Sequence, residues 1–126
     1  MADNAYDLLQ EARALMRERK PSLAVDLLKR AKALEPGRGS ILETLGIAYF
    51  NCGCHQEARR EFEEALEVDP TNHYARYGLS KCLRRQGRLQ LAIGQVKLAV
   101  AMAPEIEIYS QTLSRYQKEL EASGER

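Results

Sequence analysis

Pro36, Pro70 and Pro104 stand 34 residues apart, twice over, and no other feature limits the possible folds as much. A chain that repeats at such a period stacks copies of one supersecondary unit. Other columns keep the same interval: Ala24, Ala58 and Ala92; Ala31, Ala65 and Ala99; Leu28, Phe62 and Val96; Leu15, Tyr49 and Leu83. Two further columns read Leu8, Leu42, Arg76 and Ala12, Gly46, Ser80. Three copies of one unit fill most of the 126 residues, which is about one domain's worth of chain.

Each unit holds two helical stretches. Ile41, Leu42, Leu45, Ala48 and Tyr49 follow spacings of three and four, and after a break at Asn51-Cys52-Gly53 so do Ala58, Phe62, Ala65 and Leu66. Small residues recur where two helices must approach closely. Ser40 followed by Glu43 predicts a capping box at the start of its helix. Pro70 and Pro104 end one helix pair and open the next, because proline cannot donate within a continuing helix. Pro21 sits where a first helical turn tolerates it. After the third unit, Ile106, Tyr109, Leu113, Tyr116 and Leu120 form one apolar stripe on a last helix.

The segments Leu42-x2-Leu45-Gly46-x2-Tyr49 and Ala58-x3-Phe62-x2-Ala65-x4-Pro70 resemble the tetratricopeptide repeat (TPR) signature, with Leu in place of its Trp. The resemblance covers residues 5 to 104. It is strongest in the middle copy and weakest in the first, where Glu11 occupies an apolar column, as suits a terminal repeat whose outer face meets water. It implies an all-α, right-handed solenoid of three antiparallel helix pairs plus a capping helix, within a single domain spanning 1–126. The expected repeats are 5–38, 39–72 and 73–106, with a capping helix over 105–122 and a frayed tail over 123–126.

Several chemistries are excluded. Lys and Arg total 19 against 18 Asp and Glu, so a net charge of +1 disfavours wholesale attraction to nucleic acid or a membrane. No run of about 18 apolar residues is present to cross a bilayer. Three cysteines, an odd number, with no secretory leader at Met1 to Asn4, predict a reduced, cytoplasmic protein. Gly37-Arg38-Gly39-Ser40 lacks the Gly-Lys of a phosphate loop, and neither a zinc-protease His pair nor a nucleophile elbow appears. Glu63 and Glu64 read as a solvated face. Cys52, Cys54 and His55 lack a fourth ligand and fall in an inter-helix turn, so no metal is expected there. Cys82 reads as a small core residue, and His73 carries no functional expectation. The expectation is therefore a non-enzyme with no cofactor.

The TPR resemblance implies a module that binds a peptide or protein in a concave groove lined by the first helix of each pair. In register, that groove offers Tyr6, Leu9, Arg13 and Met16, then Ser40, Glu43, Ile47 and Phe50, then Tyr74, Tyr77, Lys81 and Arg84. The last helix continues the row as Ile108, Gln111, Arg115 and Lys118. Within each row the spacing of three and four places the residues on one face. One subset of the family grips the acidic C-terminal tails of heat-shock chaperones with Lys and Asn, then Asn, then Lys and Arg. The matching positions here are Leu9 and Arg13, Thr44, and Tyr74 and Gly78, which predicts that such tails are not bound. The basic side and aromatic floor predict an acidic segment carrying a large apolar side chain. Two alternatives remain: a self-associating scaffold (a homodimer) through Leu91 and Leu98, unless the capping helix covers them, and a single-stranded nucleic-acid binder using Tyr74 and Tyr77.

Overall fold

The computed structural model describes residues 4–124. Seven helices follow one another: α1 Ala5–Arg17, α2 Pro21–Leu34, α3 Gly39–Asn51, α4 His55–Val68, α5 His73–Arg85, α6 Leu89–Met102 and α7 Glu107–Ala122. The tail residues 125 and 126 lie outside the described part, as do residues 1–3. Short turns fold α1 on α2, α3 on α4 and α5 on α6 as antiparallel pairs, and α7 closes the array against α6. The whole is a right-handed α-solenoid.

Local chemistry sets the breaks. Asn4 accepts the Asp7 amide at 2.8 Å to start α1, and Asn72 accepts the Ala75 amide at 2.9 Å to start α5. Pro21 opens α2 at its first position, where a missing N–H costs nothing. The capping box expected at Ser40 and Glu43 does not form. The helix starts at Gly39 with Arg38 before it and no side-chain cap. Ser40 is already inside the first turn, its carbonyl accepting the Thr44 hydroxyl at 2.7 Å. Glu43 instead accepts from the Asn72 side chain at 2.9 Å, tying α3 to the cap of α5.

The repeating alanines do the packing that their period suggests. Ala24, Ala58, Ala92, Ala31, Ala65 and Ala99 are all buried, and their small side chains let neighbouring helices approach closely. Phe62 of α4 is driven between α3 and α5. A Cβ on Gly46 would lie 2.7 Å from its ring and one on Gly78 would lie 2.5 Å from it, so both positions need glycine. Tyr49 touches the cluster built around Leu8, Leu28 and Ile41 as well as the one around Phe62 and Leu79, joining successive repeats into one core.

Polar ties cross the repeats. Lys32 of α2 bridges Glu61 at 2.9 Å and Glu64 at 3.1 Å on α4, and Arg59, paired with Glu63 one turn along α4 at 3.2 Å, donates to the Gln86 side chain after α5 at 3.2 Å. Of the two carboxylates expected on a solvated face, Glu63 pairs only along its own helix, whereas Glu64 joins the more deeply buried Glu61 in reaching Lys32 of the preceding repeat. Burial opposes the charge of Lys32, but its hydrogen bonds to Glu61 and Glu64 outweigh that and raise its pKa. Leu91 and Leu98 are not covered by α7, being 54% and 42% exposed on the outer face of α6.

Candidate functional site

The inner helices α1, α3 and α5 bring most of the row residues together. Arg13, Met16, Ser40, Glu43, Ile47 and Tyr74 line one cleft of about 430 Å³, together with Arg17 and Thr44. Ile47, Phe50, Tyr74, Tyr77 and Lys81 line a second, smaller cavity of about 40 Å³ with Asn51, Phe62 and Gly78. Gly78 shapes that cavity, because the bare backbone leaves the Phe62 ring in its wall.

Aromatic contacts give the face its stiffness. Tyr74 and Tyr77 lie 6.2 Å apart, Tyr77 lies 5.0 Å from Tyr109, and the Tyr109 hydroxyl shares a 2.8 Å hydrogen bond with His73 Nδ1. His73, with no role expected, thus joins α5 to α7. Burial pushes the Tyr109 phenol up to about 12 and raises Tyr74 as well, so both stay neutral donors at physiological pH. Lys81 Nζ sits 4.8 Å from the Phe50 ring centre and 5.5 Å from that of Tyr77. Arg85 lies 5.8 Å from the same Phe50 ring, and the His55 ring packs against it at 5.0 Å. These contacts hold the cations by ring quadrupoles and leave their charge unneutralised.

Other row residues stand elsewhere. Leu9 is buried in the core of the first repeat and supplies little groove floor. Tyr6, 68% exposed, borders a separate cleft of about 260 Å³ at the α1 end with Arg13 and Arg38. Arg84 is not a free cation. Its guanidinium meets Glu119 of α7 at 3.0–3.2 Å through Nε and Nη2, and those hydrogen bonds raise its pKa further. Ile108, Gln111, Arg115 and Lys118 lie on the exposed side of α7, where Arg115 rests 5.7 Å from the Tyr116 ring, and they line neither cavity.

Arg17 and Arg85 were absent from the sequence rows. They stand one helical turn beyond Arg13 and Lys81, and extending each row by four residues would have found them. In the turn cluster Cys52 is exposed and Cys54 half-buried, Cys82 of α5 is wholly buried, and all three thiols are free. Among the described residues no group of three His, Cys, Asp or Glu side chains is placed to hold a metal ion. Nor is any described helix long and apolar enough to cross a membrane.

The comparisons with known proteins bear on this face. Residues 44–105 match the tetratricopeptide repeat family model. The chain is 37% identical over 57 residues to the small glutamine-rich tetratricopeptide repeat-containing protein 2 of Mycosarcoma maydis, covering 45% of this chain. It is 27% identical over 82 residues to the BBSome complex member BBS4 of Bos taurus, covering 65% of this chain. It spans only 16% of the length of each of these curated relatives. The fold superposes on the Sgt2 TPR domain from Aspergillus fumigatus with a TM-score of 0.90 at 21% identity, covering 95% of this chain and 81% of that one. It superposes on the first TPR of Spaghetti (RPAP3) bound to the HSP90 peptide SRMEEVD with a TM-score of 0.88 at 14% identity, covering 93% of each chain. The repeat register, the seven helices and these matches agree: residues 44–105 match the tetratricopeptide repeat family, and the described chain takes the fold of a TPR domain, three helix pairs closed by a capping helix.

Proposed function

We propose that the chain is a non-catalytic adaptor whose α1–α3–α5 face holds an acidic peptide or protein segment carrying a large apolar side chain. The observation that carries this reading is Lys81. It stands over two aromatic rings beside a cavity and has no carboxylate partner among the described residues. An unpaired cation of this kind attracts an acidic segment, and the apolar walls at Ile47, Phe50 and Tyr77 add contact area that salt does not screen. Reversal at Arg84 is a poor probe, since it would break the Glu119 pair. Lys81→Glu is the clean one. It should weaken binding of an acidic, leucine-bearing peptide by about tenfold in fluorescence anisotropy, with the helical content unchanged by circular dichroism. Unchanged affinity would move the site elsewhere.

The ligand is not the chaperone tail. Of the positions matching that clamp, Leu9 is buried, Thr44 is bonded to the Ser40 carbonyl, and Tyr74 is a phenol. Any side chain at Gly78 would meet Phe62. Arg13 alone brings positive charge. The peptide SRMEEVD, which the Spaghetti (RPAP3) domain holds, should show no saturable binding in isothermal titration; micromolar affinity would overturn this.

A second reading rests on the outer face of α6, where Leu91, Leu98 and Met102 are exposed along one stripe. A second copy of the chain would cover them. Light scattering that reports a monomer throughout the micromolar range removes that reading.

A further inference from the structure

Arg13 and Lys81 occupy the same column two repeats apart, and so do Arg17 and Arg85. Each of α1 and α5 therefore carries two cations separated by four residues, side by side on one helix face, an arrangement that costs stability unless an anion answers it. None of the four is in an ion pair or hydrogen bond among the described residues. By contrast Arg59, Arg84 and Lys32 each meet a carboxylate. Between the two pairs, the same columns of α3 hold Ile47 and Asn51, which are uncharged. Beyond them, α7 continues the columns as Arg115 and Glu119, so the pattern of paired cations stops at α5. The first pair borders the 430 Å³ cleft, and the second flanks Phe50 in the wall of the smaller cavity.

Building on the groove reading, we infer that the ligand is an extended peptide with two acidic clusters separated by a short, partly apolar stretch. One cluster is held by Arg13 and Arg17, the other by Lys81 and Arg85, and an apolar side chain between them lies over Ile47 and Tyr74. Geometry sets the spacing. Packed helices lie about 8–10 Å apart, and α3 touches both α1 and α5, so the pairs are roughly 16–20 Å apart. An extended chain rises about 3.3 Å per residue, which puts the centres of the acidic clusters about 5–6 residues apart. A ligand of equal charge but wrong spacing can engage one pair at a time. It forfeits the gain that comes from tethering two contacts.

The test uses labelled peptides, each with two Glu-Glu pairs and one Leu, the pairs being contiguous or separated by about four or about ten residues. Fluorescence anisotropy should show the four-residue spacing binding about tenfold more tightly than either of the others. Arg13→Gln with Arg17→Gln, or Lys81→Gln with Arg85→Gln, should abolish that preference. Arg13→Lys with Arg17→Lys should keep it. None of these side chains is in an ion pair among the described residues, so circular dichroism should show every variant folded, with melting little changed except where Lys81 and Arg85 leave the Phe50 ring. Equal affinities at all spacings, with Lys81→Glu still weakening each peptide, would overturn the two-cluster inference and leave the groove reading standing. Absence of binding at every spacing, or binding indifferent to Lys81→Glu, would overturn both.

Discussion

At the residue scale, the turn after each inner helix shows one backbone demand met by different side chains. Gly53 and Gly87 adopt φ of +80° and +77° there, and Arg19 holds the equivalent place in the first repeat at +61°. The left-handed region costs a non-glycine residue about 1 kcal/mol or more, only part of which glycine returns as chain entropy. Arg19→Gly should therefore raise stability by about 0.5–1 kcal/mol, read from the urea midpoint. Cys82 gives a second prediction. Burial pushes its thiol up to about 12, so at pH 8 its thiolate fraction is on the order of 10⁻⁴. Iodoacetamide should label Cys52 and Cys54 in the native protein and reach Cys82 only on unfolding. The sign for stability follows. Native Cys82 keeps its proton from its ordinary value of 9.0 up to about 12 while the unfolded chain loses it, so its contribution is full below pH 9 and declines above it. The urea midpoint at pH 10.5 should fall below that at pH 8.

At the scale of elements, the interest lies in what joins α7 to the array. It packs on α6, but its specific ties run to α5: Arg84 with Glu119, and Tyr109 with His73 and Tyr77. Glu119 and Arg84 are each about one-third exposed, so solvent screens the pair and its coupling is about 0.5–1 kcal/mol. A double-mutant cycle with Arg84→Gln and Glu119→Gln should return that coupling, and the loss should shrink in high salt. The α6 helix departs from the outer helices α2 and α4 in carrying only Lys97 among its charges, with Leu91, Leu98 and Met102 turned outward. Periodicity alone could not tell this stripe from one buried beneath α7.

For the molecule as a whole, stability is a sum over neighbouring units, and the last unit needs a cover. α7 supplies it by burying Tyr109 and Tyr116. Removing residues 105–126 should cost on the order of 5 kcal/mol from those two side chains and the surfaces they protect. In a domain of this size the melting temperature should then fall by more than about 10 °C, with aggregation on heating. Calorimetry of the shortened chain checks this; an unchanged transition would mean that three repeats stand alone. Charge is also arranged at this scale. A net charge of +1 conceals two unpaired cation pairs on the inner face, while outer-face cations such as Lys32 and Arg59 are matched by carboxylates.

The period of 34 residues, the alternation of helix and turn, the alanine columns and the order of the inner and outer helices were all legible in the chain by itself. They depend on spacing along one helix and on repetition of one unit, and both are written locally. The inner face was legible as a set of columns for the same reason. Which of its charges are free was decided by the tertiary structure. Arg84 and Glu119 are 35 residues apart, and their pairing depends on where α7 comes to rest. Leu9 sank into the core and Glu43 turned to Asn72 because the helices around them set burial and hydrogen bonding. Leu91 and Leu98 stayed outside because α7 packs on another face of α6. A repeat period specifies which residues recur at equivalent positions; ion pairing and exposure depend on neighbours brought close only by the packing of whole helices.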